Sequence, residues 1–127
     1  MSNKTNLGYH IVLVTKYRKS ILTPSIMDFL IDKIKQKLTE THCNVIAIQG
    51  DDMNHIHILV KLKPTQSISL LIKLIKQITT YYVWQEYPVY LRRHYWYNNY
   101  LWSSGYFCGT IGDASEKTIK QYIENQG

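Results

Sequence analysis

An α+β sandwich is the fold class the sequence predicts: an antiparallel four-stranded sheet with both of its helices on one face. Three observations predict it. Short apolar or alternating runs and long amphipathic ones follow in the order strand, helix, strand, strand, helix, strand. Gly50-Asp51-Asp52 turns the second strand, 44–49, into the third, 54–62, and the two runs are close enough for an antiparallel hairpin. The chain has 127 residues without internal repeats, low-complexity stretches or a linker, so one domain spanning 1–127 is expected.

Each element has its own signal. Residues 8 to 16, GYHIVLVTK, are apolar and β-branched at the centre and read as a buried strand. A basic cluster, Lys16, Tyr17, Arg18 and Lys19, ends it. Thr23 then caps a helix over about 24–41, with Pro24 in the first turn, where its missing N–H costs nothing. Met27, Leu30, Ile31, Ile34 and Leu38 give that helix one apolar face. Residues 44–49 and 54–62 form the hairpin strands, and Pro64 stops the second. Ser67 opens another helix, with Ile68, Leu71, Ile72, Ile75 and Ile78 on one side. An aromatic-dense segment follows Tyr87-Pro88, then a strand around 106–110. A last helix is predicted from 114 to 126, with Asp113 and Glu116 spaced as a capping box. The βαββαβ order is that of a ferredoxin-like sandwich, here with an added C-terminal helix.

Composition narrows the function. The formal charge of +6 favours an acidic partner such as nucleic acid. Cys43 and Cys108 belong to no C-x-x-C pattern and suggest a reducing compartment. The N-terminus lacks the apolar core of a secretory signal, and no run approaches the ~18 apolar residues of a membrane span. A soluble, cytoplasmic protein is expected.

Two stretches carry possible chemistry. In "NHIHILV", strand alternation puts His55 and His57 on one face and Ile56 and Ile58 on the core face. The two imidazoles, about 7 Å apart at Cα, can converge on one ion. They could equally decorate a solvated sheet face, and H-x-H alone does not decide. In the last helix Ile119, Tyr122, Ile123 and Gln126 share a face. A His-His-Gln set would suit Mg²⁺ or Mn²⁺, whereas a thiolate from Cys43 or Cys108 would point to zinc.

Four blocks, "YHIVLVTKYR", "DDMNHIHILV", "WSSGYFCGTIG" and "YIENQ", occur in this order over nearly the whole chain. Together they resemble the single-tyrosine HUH transposases, small insertion-sequence enzymes that move single-stranded DNA. The resemblance implies that His55, His57 and Gln126 hold a divalent metal and that Tyr122 is the nucleophile. It implies cleavage and rejoining through a 5′-phosphotyrosine, without ATP or another nucleotide cofactor. It further implies recognition of subterminal hairpins and a homodimer.

For DNA contact the sequence offers Arg92 and Arg93, set among aromatics between 81 and 102, and the cluster Lys16, Arg18 and Lys19. About half of those aromatics are expected to fill the core or a dimer seam. Two other readings stay open: a noncatalytic single-stranded nucleic-acid-binding module, and a domesticated HUH nuclease. A hydrolase without a covalent intermediate would want a carboxylate base, and Glu116 and Glu124 are poorly placed for it.

Overall fold

The computed structural model describes residues 7–112. Tyr122, Gln126 and the predicted last helix lie outside them. The elements are β1 (Leu7–Val14), a 3₁₀ turn (Lys16–Arg18), α1 (Pro24–Glu40), β2 (Asn44–Asp51), β3 (His55–Leu62), α2 (Ile68–Glu86), α3 (Pro88–Arg92) and β4 (Phe107–Gly112). The strands form one sheet in the order β2-β3-β1-β4, every neighbouring pair antiparallel. This is the predicted α+β fold.

Both long helices start where the sequence says they should. Thr23 Oγ1 accepts the Ile26 amide at 3.3 Å, and Ser67 Oγ accepts the Leu70 amide at 3.3 Å. Ile26, Leu30, Ile34 and Leu38 of α1 join Leu71, Ile72, Ile75 and Val83 of α2 over Ile11, Leu13, Ile56, Ile58, Val60 and Leu62 of the sheet. Two positions differ from the periodic reading. Ile26 is buried where Met27 is only partly so, and Thr79 is fully buried beside a partly exposed Ile78. Thr79 tolerates the core because its hydroxyl donates to Ile75 O at 2.6 Å and accepts from Trp102 Nε1 at 2.8 Å.

The aromatic segment is more ordered than its sequence suggests. Pro88 restarts the chain as α3, since proline is favoured at a first helical position. Tyr95, Leu101 and Trp102 join the core, whereas Tyr81, Tyr82, Trp96 and Tyr97 are exposed. The first strand is shorter than expected. It ends at Val14, and the basic cluster turns away from the sheet through Tyr17 and Arg18, both at positive φ. Tyr95 holds that turn, its phenol donating to Lys16 O at 2.7 Å.

A β-bulge in β2 sets Ile46 and Ala47 against Leu59, forming a small second cluster on the sheet face away from the helices. The β2–β3 connection has strain of its own. Asn54 N donates to Asp51 O at 3.2 Å across a turn whose central residues, Asp52 and Met53, have φ of 53° and 59°. A primed turn of this kind suits glycine and penalises a longer side chain. Met53 is exposed, so Met53→Gly is expected to raise stability by about 0.5–1 kcal/mol, net of glycine's entropy in the unfolded chain. Urea unfolding reads this, and a loss of stability would contradict it. Among the described residues, no helix is long and apolar enough to cross a membrane.

Candidate metal centre on the sheet

Register decides what surrounds the two histidines. On β3, His55 lies opposite Val14 of β1 and Asp51 of β2; His57 lies opposite Val12 and Gln49. Ile56 and Ile58 are fully buried under the helices, so both imidazoles occupy the other face, as alternation predicts.

His57 has two distinct ring edges. Its Nδ1 lies 2.9 Å from Nε2 of His10 on β1, and the rings stack with centroids 5.2 Å apart and 21° between planes. His10 is buried, with Phe107 of β4 edge-on at 5.7 Å. Burial, reinforced by the neighbouring His57, holds the His10 ring below the ordinary histidine range and favours its neutral form. On its other edge, His57 Nε2 is buried and makes no hydrogen bond among the described residues. Asp51 Oδ2 stands 3.7 Å from that nitrogen.

His55 repeats the pattern nearer the sheet end. Its Nδ1 is 2.5 Å from Asn54 Oδ1, and Asn54 Nδ2 donates to Arg18 O at 3.2 Å. An amide oxygen only accepts, so Nδ1 of His55 carries a proton, and in the neutral ring the lone pair then lies on Nε2. Arg18 Nη1 reaches that Nε2 at 3.4 Å, a long and exposed contact.

These features fit a divalent cation. A buried nitrogen without a hydrogen-bond partner is costly unless something else satisfies it. On both rings Nδ1 has a local partner, the arrangement that metal-binding histidines favour. Among the described residues, no group of three His, Cys, Asp or Glu side chains could hold an ion. A third ligand must come from another residue type or from elsewhere, and the expected one, Gln126, lies outside the described residues, as does Tyr122. The thiolate alternative loses ground. Cys43 and Cys108 pack against the helix-side core, and burial pushes the Cys108 thiol up.

The basic candidates fall into two groups. Lys16, Arg18 and Lys19 border the histidine end of the sheet, where Arg18 meets His55 directly. Lys16 Nζ sits 4.6 Å from the centre of the Tyr100 ring, and Tyr17 stacks on the exposed Trp96 at 5.8 Å. A groove of about 300 Å³ next to this turn is lined by Val12, Val14, Tyr17, Arg18, Tyr106 and Phe107, among others. Arg92 instead lines a larger groove of about 950 Å³, with Lys76, Tyr81, Trp84, Trp96 and Asn99. Arg93 is exposed at the end of α3.

None of the described tyrosines with a shifted ionisation resembles an activated nucleophile. Burial pushes Tyr95 up to about 12 and also raises Tyr90, while Tyr17 is raised by desolvation and by Tyr100. Sequence reasoning missed His10, Asp51 and Asn54. His10 alternates away from Ile11 and Leu13, but only the β1–β3 register shows that it meets His57.

Known proteins resemble this chain in sequence and fold. Residues 3–126 match the family model described as transposase IS200 like. The ISDra2 transposase TnpA of Deinococcus radiodurans is 28% identical over 120 residues, covering 94% of this chain and 84% of that protein. A Salmonella typhimurium transposase for insertion sequence element IS200 is 29% identical over 122 residues, covering 95% and 77%. A Deinococcus radiodurans R1 crystal structure assigned as a transposase superposes with a TM-score of 0.76 at 25% identity, over 99% of this chain and 95% of that one. A REP-associated tyrosine transposase bound to a REP hairpin shares the fold, with a TM-score of 0.66 at 15% identity over 98% and 69%. With the family model spanning nearly the whole sequence and the fold agreeing, this chain belongs to the IS200-like transposases, which are DNA strand-transferring enzymes.

Proposed function

We propose that the protein cleaves and rejoins single-stranded DNA at the ends of an insertion element, with Tyr122 as nucleophile and His55, His57 and Gln126 as ligands of Mg²⁺ or Mn²⁺. The observation that carries this reading is the pair of imidazoles on one sheet face, with Nδ1 of each engaged and Nε2 of His57 buried without a hydrogen bond. The bound ion would polarise the scissile phosphate and stabilise the charge developing on its oxygens. Tyr122 then attacks phosphorus, a 3′-hydroxyl leaves, and the 5′-phosphate remains as a tyrosine ester. Because the ester keeps the energy of the broken bond, a second 3′-hydroxyl can reverse the step without a nucleotide cofactor. A free phenol ionises near 10, so Tyr122 must pass its proton to a base or to solvent as it attacks.

The other residues follow from position. Arg18 puts a guanidinium beside His55, where it can exchange its long contact for a phosphate oxygen. Lys16 and Lys19 extend that charge, and exposed Tyr17 and Trp96 present faces on which bases can stack. Arg92, lining the larger aromatic groove, and Arg93, exposed at the end of α3, form a second DNA surface, suited to a hairpin end. The structural neighbour bound to a REP hairpin supports that kind of partner. A homodimer is consistent with β4, an edge strand that begins at the exposed Phe107 with the exposed Tyr106 beside it.

The test is a covalent adduct. Incubation with single-stranded DNA carrying the element end and Mn²⁺ should give a denaturant-resistant protein–DNA species, which Tyr122→Phe reduces to background. If the wild type forms none with any cognate end, a noncatalytic binding module becomes the better reading. A domesticated nuclease would also form the adduct and is separated by genomic context, since flanking hairpins and target-site junctions mark a mobile element.

A further inference from the structure

We propose that His10 is a positioning residue: its Nε2 accepts the Nδ1 proton of His57 and so leaves the Nε2 lone pair of His57 for the metal. The inference rests on the metal reading of His55 and His57.

A neutral imidazole carries one proton, on either nitrogen. For His57 to bind a cation through Nε2, that proton must sit on Nδ1. The His10 ring is the group in place to receive it, at 2.9 Å. The opposite tautomer has a competitor in its favour. With the proton on Nε2, His57 would point an N–H toward Asp51 Oδ2, 3.7 Å away, and close the site to a cation. The acceptor at Nδ1 therefore decides which edge of His57 is available.

The geometry suits this task. β1 and β3 are central neighbours in the sheet, and His10 sits diagonally across from His57, where the pleat brings same-face side chains together. Stacking on His57 and edge contact with Phe107 leave His10 little freedom to turn its Nε2 elsewhere. His55 obtains the same service from Asn54, its sequence neighbour. His57 is followed by Ile58, whose side chain points to the core, so its acceptor has to come from another strand.

Two variants separate the acceptor from the ring. His10→Phe keeps an aromatic ring against His57 and removes the nitrogen; His10→Gln restores an acceptor oxygen. Isothermal titration with Mn²⁺ alone reads affinity, and long-range ¹H–¹⁵N spectra of the Mg²⁺-loaded protein read the His57 tautomer. His10→Phe is expected to weaken Mn²⁺ binding by about 10- to 100-fold, the usual cost of removing a partner behind a metal ligand. His10→Gln should recover most of that loss, with His57 protonated at Nδ1. Folded His10→Phe that binds Mn²⁺ like the wild type overturns the proposal, as does a Gln variant no better than Phe. If the Phe variant does not fold, the Gln variant decides alone: near-wild-type binding with Nδ1 protonated supports the role, and a tenfold or greater loss overturns it. A wild type that binds no Mn²⁺ overturns the metal reading as well, whereas normal wild-type binding unaffected by His10→Phe overturns this inference alone.

Discussion

His57→Ala is expected to abolish divalent-ion binding and to cut covalent adduct formation by more than about 100-fold, beyond the 10- to 100-fold typical of a residue behind a ligand. The fold should survive. His57 is on the sheet face away from the helices, and the helix-side core holds Ile56 and Ile58 but neither histidine. His57→Ala removes the stacked partner of His10, so a modest drop in melting temperature should accompany the loss. His55→Ala should match it in metal binding while leaving the His10–His57 contact in place. Mn²⁺ titration and adduct yield on a cognate single strand measure both variants. Adduct within tenfold of wild type in folded His57→Ala would show that the ion, if bound, is held elsewhere.

Tyr95→Ala carries the largest expected effect on stability, about 3–5 kcal/mol, from a lost aromatic side chain and the cavity left behind. Against the 5–15 kcal/mol that usually holds a domain together, this is a large fraction. Tyr95 is fully buried, and its phenol anchors the carbonyl of Lys16, where the basic turn leaves the sheet. Tyr95→Phe separates packing from hydrogen bonding. It keeps the ring and leaves the carbonyl with only the long Lys19 amide contact at 3.4 Å, at a cost of about 1–2 kcal/mol. Both variants should lower hydrogen-exchange protection at Arg18, whose amide bonds to Thr15 O at 2.9 Å within the turn. Through Arg18 the loss reaches His55, so the Phe variant should also weaken binding of single-stranded DNA. Urea midpoints give the energies, and a Phe variant with wild-type stability would mean that the Lys19 amide and solvent satisfy the Lys16 carbonyl.

Local patterns carried much of the fold because the relevant physics is local. Period and capping placed α1 and α2 to within a residue or two at their starts, since Thr23 and Ser67 accept amides from their own first turns. Strand alternation put His55 and His57 on one face for the same reason. The end of β1 was misjudged because Thr15 and Lys16 have strand-like neighbours, whereas their actual partners are distant: Lys16 N bonds Leu101 O at 2.8 Å and Thr15 N bonds Asn54 O at 3.0 Å. α3 was missed because it spans only five residues, Pro88–Arg92, too few for a periodic signal. Among the aromatics, composition could not tell Tyr95 from Trp96. One is core and the other exposed because Tyr95 finds a backbone acceptor inside and Trp96 stacks on Tyr17 at the surface.

The sequence by itself determined the strand and helix order, the shared face of the two histidines, and a family resemblance that named Tyr122 and Gln126. Tertiary structure decided which edge of each histidine is engaged. His10 and His57 are 47 residues apart in the chain and touch because β1 and β3 pair antiparallel in one particular register. A slip of one residue would turn β3's side chains to the opposite faces. That register comes from burying Ile56, Ile58 and Val60 under the helices, a property of the whole core rather than of the histidines. The core thus fixes the chemistry of an atom on the opposite face of the sheet.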